Sequence, residues 1–309
     1  MARPHAKKKI SKDPSYRKKK PLAYFPVQRK IPVGNPVTPT GFTGLLDAAR
    51  ALSQVNHRLY RYGKKYTLKV DVDPSELLSG TDIHLYALAD NWMVQKAFEE
   101  AKTVFDRAYT DERENLSESQ YARWRDFRIA SGVTNDTLRP IMRNHPTAGP
   151  LRFQTLGTFD LSVVEDSAGN PRTFTWSNNP NVATEYSVIN EYNLAANTTV
   201  TPGVTTGAGP YDDLEADASQ LEMNALQTRG AQPPYDPTGL PPVWIKVGTL
   251  TVSGTTGSQK LSTGYFDAPC GIVSVQIEGQ NWESMEDSLS FTVQSGDYKG
   301  VKAHNMERM

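Results

Sequence analysis

The sequence predicts a mainly β protein: an antiparallel sandwich or barrel of about eight strands, with a helical insertion after the second strand and a disordered cationic arm in front. Three observations predict it. The last third of the chain carries short alternating apolar runs, separated by turn residues at a spacing of roughly 8–12 residues. The period turns helical in one long stretch, residues 91–130. Charge is partitioned: 34 Lys and Arg balance 34 Asp and Glu over the chain. Yet residues 1–30 hold eleven bases and one acid, a charge of +10, which leaves −10 for the remainder.

Residues 1–40 read as an arm. Prolines stand at positions 4, 14, 21, 26, 32, 36 and 39, and like charges repel between them. Such a segment buries too little apolar surface to offset its chain entropy. A single folded body is expected over 41–309, with order beginning near Thr43. From Thr43 to Tyr62, Leu45, Leu46, Ala49, Leu52, Val55 and Leu59 recur at helical spacing, and Gly63 is a suitable stop. Arg50, His57, Arg58 and Arg61 lie on its polar side, with Lys64 and Lys65 following, so a basic helix would lead from arm to body.

The period then changes to two. Tyr66, Leu68, Val70 and Val72 alternate with polar residues, which predicts a strand with one buried face, and Ile83–Leu88 predicts a second. In the insertion, Trp92, Phe98, Ala101, Phe105 and Ala108 share a helical face. A second helix is expected from Ser117, where Ser117–Gln120 fits a capping box, through Tyr121, Trp124, Phe127 and Ile129 to Gly132.

Beyond Pro150 the pattern is strand and turn. Arg152–Val164 reads as a strand through Phe153, Leu161 and Val163, with Gly157 as a bulge. Ser167–Asn170 reads as a turn, and Arg172–Trp176 and Tyr186–Leu194 as strands. Residues 195–242 form a long loop rich in Thr, Gly and Pro. Val243–Val252 and Gln259–Phe266 read as a strand and its return across a turn at Gly254–Ser258. Cys270–Glu278 and Ser288–Ser295 complete the set.

Little catalytic chemistry is visible, and no enzymatic activity is expected. The histidines at 5, 57, 84, 145 and 304 have no metal-ligand spacing, and nucleophile-elbow, P-loop and dinucleotide motifs are lacking. The single cysteine, Cys270, excludes an internal disulfide and reads as a buried thiol rather than a nucleophile. No run of 18 apolar residues exists, and the first 30 residues lack the apolar stretch of a signal peptide, so no membrane contact is expected. Carboxylates cluster at Asp71, Asp73 and Glu76, and at Asp212, Asp213, Glu215 and Asp217. Asp212, Asp213 and Asp217 are the candidate ligands for a structural calcium ion, against a solvated acidic face. No other cofactor is expected.

The cationic arm is the strongest feature. Arg3, Lys7, Lys8, Lys9, Lys12, Arg17, Lys18, Lys19, Lys20, Arg29 and Lys30 are candidate nucleic-acid contacts, because such side chains neutralise phosphates and release counterions. Tyr16, Tyr24 and Phe25 lie among or beside them and could stack on unpaired bases. Lys7–Lys9 and Arg17–Lys20 also fit a nuclear-import signal. The bland alternative is a solubilising tail.

A +10 arm, Met1 to Lys30, followed by an antiparallel β body of about 250 residues with long loops, resembles the single jelly-roll capsid proteins of small icosahedral viruses. The plan is most like that of circular single-stranded DNA viruses (circovirus-like) and also like that of small RNA viruses of nodavirus or tombusvirus type. The resemblance implies an eight-stranded jelly-roll shell domain and self-assembly into a virion. It also implies an inward arm that binds the packaged genome, and loops that contact neighbouring subunits and a host receptor. Sixty such arms would bring about 600 positive charges inside. Shell contacts are then expected from the insertion 91–130 and the loop 195–242. A cellular β-sandwich binding module with a basic tail is the alternative, with Trp176, Tyr186, Tyr192, Trp244 and Trp282 as candidate ligand platforms. An enzyme on the same scaffold would need a histidine-rich metal site.

Overall fold

A computed structural model describes residues 26–34, 43–73, 80–114, 126–132, 138–142, 152–153, 161–166, 168–177, 184–197, 243–253, 260–278 and 289–306. The protein is mainly β, built of antiparallel sheets with helices at their margins. The strands of its two larger sheets are β1 (Lys30–Gly34), β2 (Thr43–Asp47), β3 (Lys64–Val72), β4 (Asp82–Leu88), β5 (Arg139–Met142), β6 (Arg152–Phe153), β10 (Trp244–Thr251), β11 (Leu261–Ser262), β12 (Phe266–Ala268), β13 (Ile272–Glu278), β14 (Leu289–Val293) and β15 (Ala303–Asn305). A smaller sheet holds β7 (Val163–Glu165), β8 (Pro171–Thr175) and β9 (Glu185–Ser187), with β8 and β9 parallel. The helices are α1 (Ala48–Asn56), α2 (Trp92–Glu114) and α3 (Val188–Asn197).

β3 is the hub because its alternation is the cleanest: Tyr66, Leu68, Val70 and Val72 are each at most 1% exposed. It pairs with β14, β15, β11 and β12. With β11 and β12 counted as one interrupted strand, the pairing is nested. β1 pairs with β14, β2 with β13, β3 with β11 and β12, and β4 with β10. From β1 with β14 inward to β4 with β10 each pair encloses the next, which describes one long antiparallel ribbon folded back on itself, with β15 added beyond it on β3. Two further pairings, β14 with β3 and β13 with β4, close the ribbon into two sheets. Their orders are β11-β3-β14-β1, extended by β5 and β6, and β10-β4-β13-β2.

The main core lies between these sheets and α1, with Ile31, Leu46, Leu52, Leu68, Leu85, Val273, Val275 and Phe291 among its members. A second core joins α2, α3 and the small sheet, where Phe98, Phe105 and Phe174 surround Phe127 at centroid distances of 5.3–5.5 Å. Among the described residues no helix is long and apolar enough to cross a membrane.

Several expectations need correction. The expected arm extends to residue 40, but residues 26–34 are folded, and β1 lies between β14 and β5 with Ile31 and Val33 at 0% exposure. The helix expected over Thr43–Tyr62 is shorter. Its first five residues form β2 against β13, and Asp47 then caps α1 by accepting a 2.9 Å bond from the Arg50 amide. α1 ends at His57, which is left-handed with φ 50°, well before Gly63. The expected second helix falls partly outside the described residues. Of its end, 126–132 is extended: the Ala130 amide donates to Phe174 O at 2.7 Å and Ala130 O accepts from Trp176 N at 2.9 Å. Phe127 and Ile129 are buried there as members of a strand-like segment.

Of the expected strand Arg152–Val164, β6 and the first residues of β7 are present, and Gly157 lies outside the described residues. Leu161 and Val163 are each 46% exposed, while Val164 faces the second core. Tyr186–Leu194 is a strand only as far as Ser187, whose hydroxyl then accepts from the Asn190 amide and starts α3. The return strand after β10 does not pair with β10. It crosses to β3, because Leu261 and Phe266 pack against the main core from that side.

Candidate nucleic-acid interface

Of the eleven cationic candidates, Arg3, Lys7, Lys8, Lys9, Lys12, Arg17, Lys18, Lys19 and Lys20 lie outside the described residues, as do Asp212, Asp213 and Asp217. Arg29 and Lys30 sit on folded chain. Arg29 O accepts from the Val293 amide at 3.0 Å, and Lys30 is the first residue of β1, opposite Thr292. Thr292 is in turn opposite Lys69 on β3, so Lys30 and Lys69 flank it in one row across the sheet. Lys69 pairs with Asp71 at 2.9 Å. Burial opposes the Asp71 charge, but Lys69, Ser262 and Lys30 outweigh it and hold that carboxyl below its ordinary range.

Pro26 to Gln28 mark where the cationic segment joins the body. The Gln28 amide donates to Asn56 Oδ1 at 2.8 Å, and Asn56 Nδ2 donates to Gln28 O at 3.0 Å, which ties the joint to the end of α1. Val27 packs on Gly300, where an added Cβ would lie 2.8 Å from Val27 Cγ2. Gly300 belongs to a tight turn between Tyr298 and Val301, which exchange two 3.0 Å backbone hydrogen bonds. Both central residues are left-handed, Lys299 at φ 52° and Gly300 at φ 89°, the conformation of a type I′ hairpin.

Around this joint lies a set of cations that the arm reading leaves out. Lys64 Nζ sits 4.2 Å from the Tyr298 ring centroid, and Lys299 Nζ sits 5.6 Å from it. Lys64 also donates to Asn305 Oδ1 and Lys299 to Leu59 O. The Tyr298 hydroxyl accepts from the Arg61 amide at 3.1 Å, and Tyr60 meets the Tyr298 ring edge-on at 6.0 Å. Arg61 and Lys65 have carboxylate partners, Asp126 at 3.4 Å and Asp90 at 3.0 Å. Lys64 and Lys299 have none among the described residues. Lys64 belongs to the basic stretch legible in the sequence. Lys299 joins it only because β15 pairs with the start of β3.

The remaining candidates fall into structural roles. Cys270 is fully buried, and burial pushes its thiol well above the ordinary value, so it stays protonated. Among the described residues no three His, Cys, Asp or Glu side chains are gathered as metal ligands. Trp176 is 0% exposed and donates its indole N–H to Tyr62 Oη at 3.0 Å, so it offers no ligand platform. Tyr186, Tyr192 and Trp244 pack against the second core, and Trp282 lies outside the described residues. Compared with family models, curated proteins and solved structures, the chain has no match in any of the three.

Proposed function

We propose that the chain is a structural shell subunit: a single jelly roll that assembles with copies of itself and holds a packaged single-stranded nucleic acid through its cationic N-terminal segment. Two Greek keys wound from one folded ribbon define a jelly roll, and the nested pairing of β1 to β14 supports that reading. On it, the chain between β4 and β10 is one large insertion carrying α2, the small sheet and α3. The observation that carries the function is the charge partition: +10 over residues 1–30, joined directly to the first strand of a body of −10. A cationic segment draws a polyanion in, while an acidic body stays off it and remains dispersed. The virion, with passage through the host nucleus, is the corresponding location.

Electron microscopy of the purified full chain tests assembly: closed uniform particles are expected, and a protein that stays monomeric at all concentrations contradicts the proposal. Binding is tested by salt titration on single-stranded oligonucleotides. If Lys7, Lys8, Lys9, Lys12, Arg17, Lys18, Lys19 and Lys20 each neutralise a phosphate, log affinity falls against log salt with a slope of about −5 to −6. Replacing Lys18, Lys19 and Lys20 by alanine lowers that magnitude by about 2 and weakens all sequences alike. A flat salt response removes the phosphate role.

A further inference from the structure

Two ammonium groups share one ring at the point where the cationic segment enters the body, Lys64 at 4.2 Å and Lys299 at 5.6 Å from the Tyr298 centroid. Holding like charges together without a carboxylate is unfavourable in the isolated protein. Burial, and then the Lys299 charge, hold the Lys64 ammonium below its ordinary value. The turn adds a second local cost, because Lys299 occupies a left-handed position where Asn or Gly is favoured. The fold nevertheless fixes both cations: Lys299 through Leu59 O, Lys64 through Asn305, and the ring through the Arg61 amide and Tyr60. An anion between them relieves the repulsion, and Val27, packed on Gly300, puts the end of the cationic segment beside Lys299.

We propose that Lys64 and Lys299, held over Tyr298, form a second phosphate-binding point on the folded body, which takes the phosphodiester backbone of a single-stranded nucleic acid as it leaves the arm. This rests on the reading that the arm binds nucleic acid, and it adds that the body has a fixed contact of its own. Lysine reads phosphate as a point charge, so the point carries no base preference. Asp126 and Asp90 do not cancel it, being engaged by Arg61 and Lys65, and the exposed Asp297 next to Tyr298 limits the patch on one side.

The test is a salt titration of the full chain with a fluorescent single-stranded oligothymidylate. The double variant Lys64→Gln/Lys299→Gln is expected to lower the slope magnitude by about 1.4, and Lys299→Gln alone by about 0.7. Lys299 is an exposed turn residue, so the single variant keeps the test valid if the double variant fails to fold. Lys246→Gln, an exposed lysine on β10, controls for net charge and is expected to change nothing. An unchanged slope in Lys299→Gln, or an equal fall in Lys246→Gln, overturns the proposal. Inorganic phosphate at matched ionic strength is expected to leave wild-type binding intact. If it erases the difference between wild type and Lys299→Gln, the point takes free phosphate and the proposal fails. Alanine at Lys18, Lys19 and Lys20 separates the two readings: an unchanged slope there removes the arm's role, whereas a changed slope there with none in Lys299→Gln removes only the body contact.

Discussion

Arg128 joins parts of the molecule that the sequence keeps far apart. Its guanidinium pairs with Asp47, the cap of α1, lies 3.8 Å from Asp126 and covers the Tyr62 ring at 4.9 Å to the centroid. Both Arg128 and Asp47 side chains are under a tenth exposed. Removing one member of such a pair leaves a buried charge unmatched, so Arg128→Ala is expected to cost about 3–5 kcal/mol in denaturant unfolding. A loss below about 1 kcal/mol would mean that water reaches the site. Asp166 gives a pH-dependent case. It accepts hydrogen bonds from the Asn170 and Ala168 amides, each at 2.9 Å, and pairs with Arg172. The Asn170 amide first, against some opposing desolvation and with help from Arg172, the Ala168 amide and the Asn170 side chain, lowers its carboxyl from 3.8 to about 2. A depressed value means the unfolded chain binds the proton more readily. The Asp166 contribution is therefore complete above pH 3.8 and is lost as pH falls toward about 2. The thermal midpoints of wild type and Asp166→Asn should converge over that window, and parallel curves would contradict the assignment. Neither arrangement around Arg128 nor the Lys64–Lys299 pair is legible in sequence, because each depends on chain crossings that no local pattern records. The arm's charge is legible because it is local.

At the level of elements, legibility follows the burial pattern. β3, β4, β13 and β14 each bury alternate or continuous apolar residues, and their period appears directly in the sequence. β1 escapes because Pro32 and the neighbouring bases give it the composition of the arm, although Ile31 and Val33 keep the strand period. β2 and α1 merge into one expected helix because Leu45, Leu46, Ala49 and Leu52 suit a strand end as well as a helix start. Asp47, the actual boundary, is a single capping residue. β15 has only three residues and no inward apolar row. The corrected boundary makes a prediction. Deleting residues 1–25 should leave the thermal transition nearly unchanged, because the deleted composition is that of a segment unable to build a core. Deleting residues 1–40 removes β1 from between β14 and β5 and should abolish cooperative unfolding. Equal stability of the two truncations would show β1 to be dispensable.

For the molecule as a whole, the charge partition assigns the two tasks of the shell reading to separate parts of the chain, so on that reading they should be separable by experiment. If the shell reading holds, the chain lacking residues 1–25 keeps the acidic body and should form particles without nucleic acid. The ratio of absorbance at 260 to 280 nm in purified particles reads this out. A nucleic-acid ratio unchanged by the deletion would place the genome contact on the body alone.

The nested strand order also sets a schedule. Lys30 finds its neighbour in Thr292, so one edge of the first strand stays open until β14 has been made, although β5 reaches its other edge earlier. Contacts this distant in sequence close slowly, and a chain that emerges from the ribosome N-terminus first must hold Ile31 without its partner Phe291 through most of synthesis. The eleven bases of residues 1–30 lie ahead of Ile31 in the chain and emerge before it. On the proposed function, the nascent polypeptide therefore presents its cationic segment well before it has a closed body, and its first encounter with a nucleic acid would be timed by translation rather than by assembly.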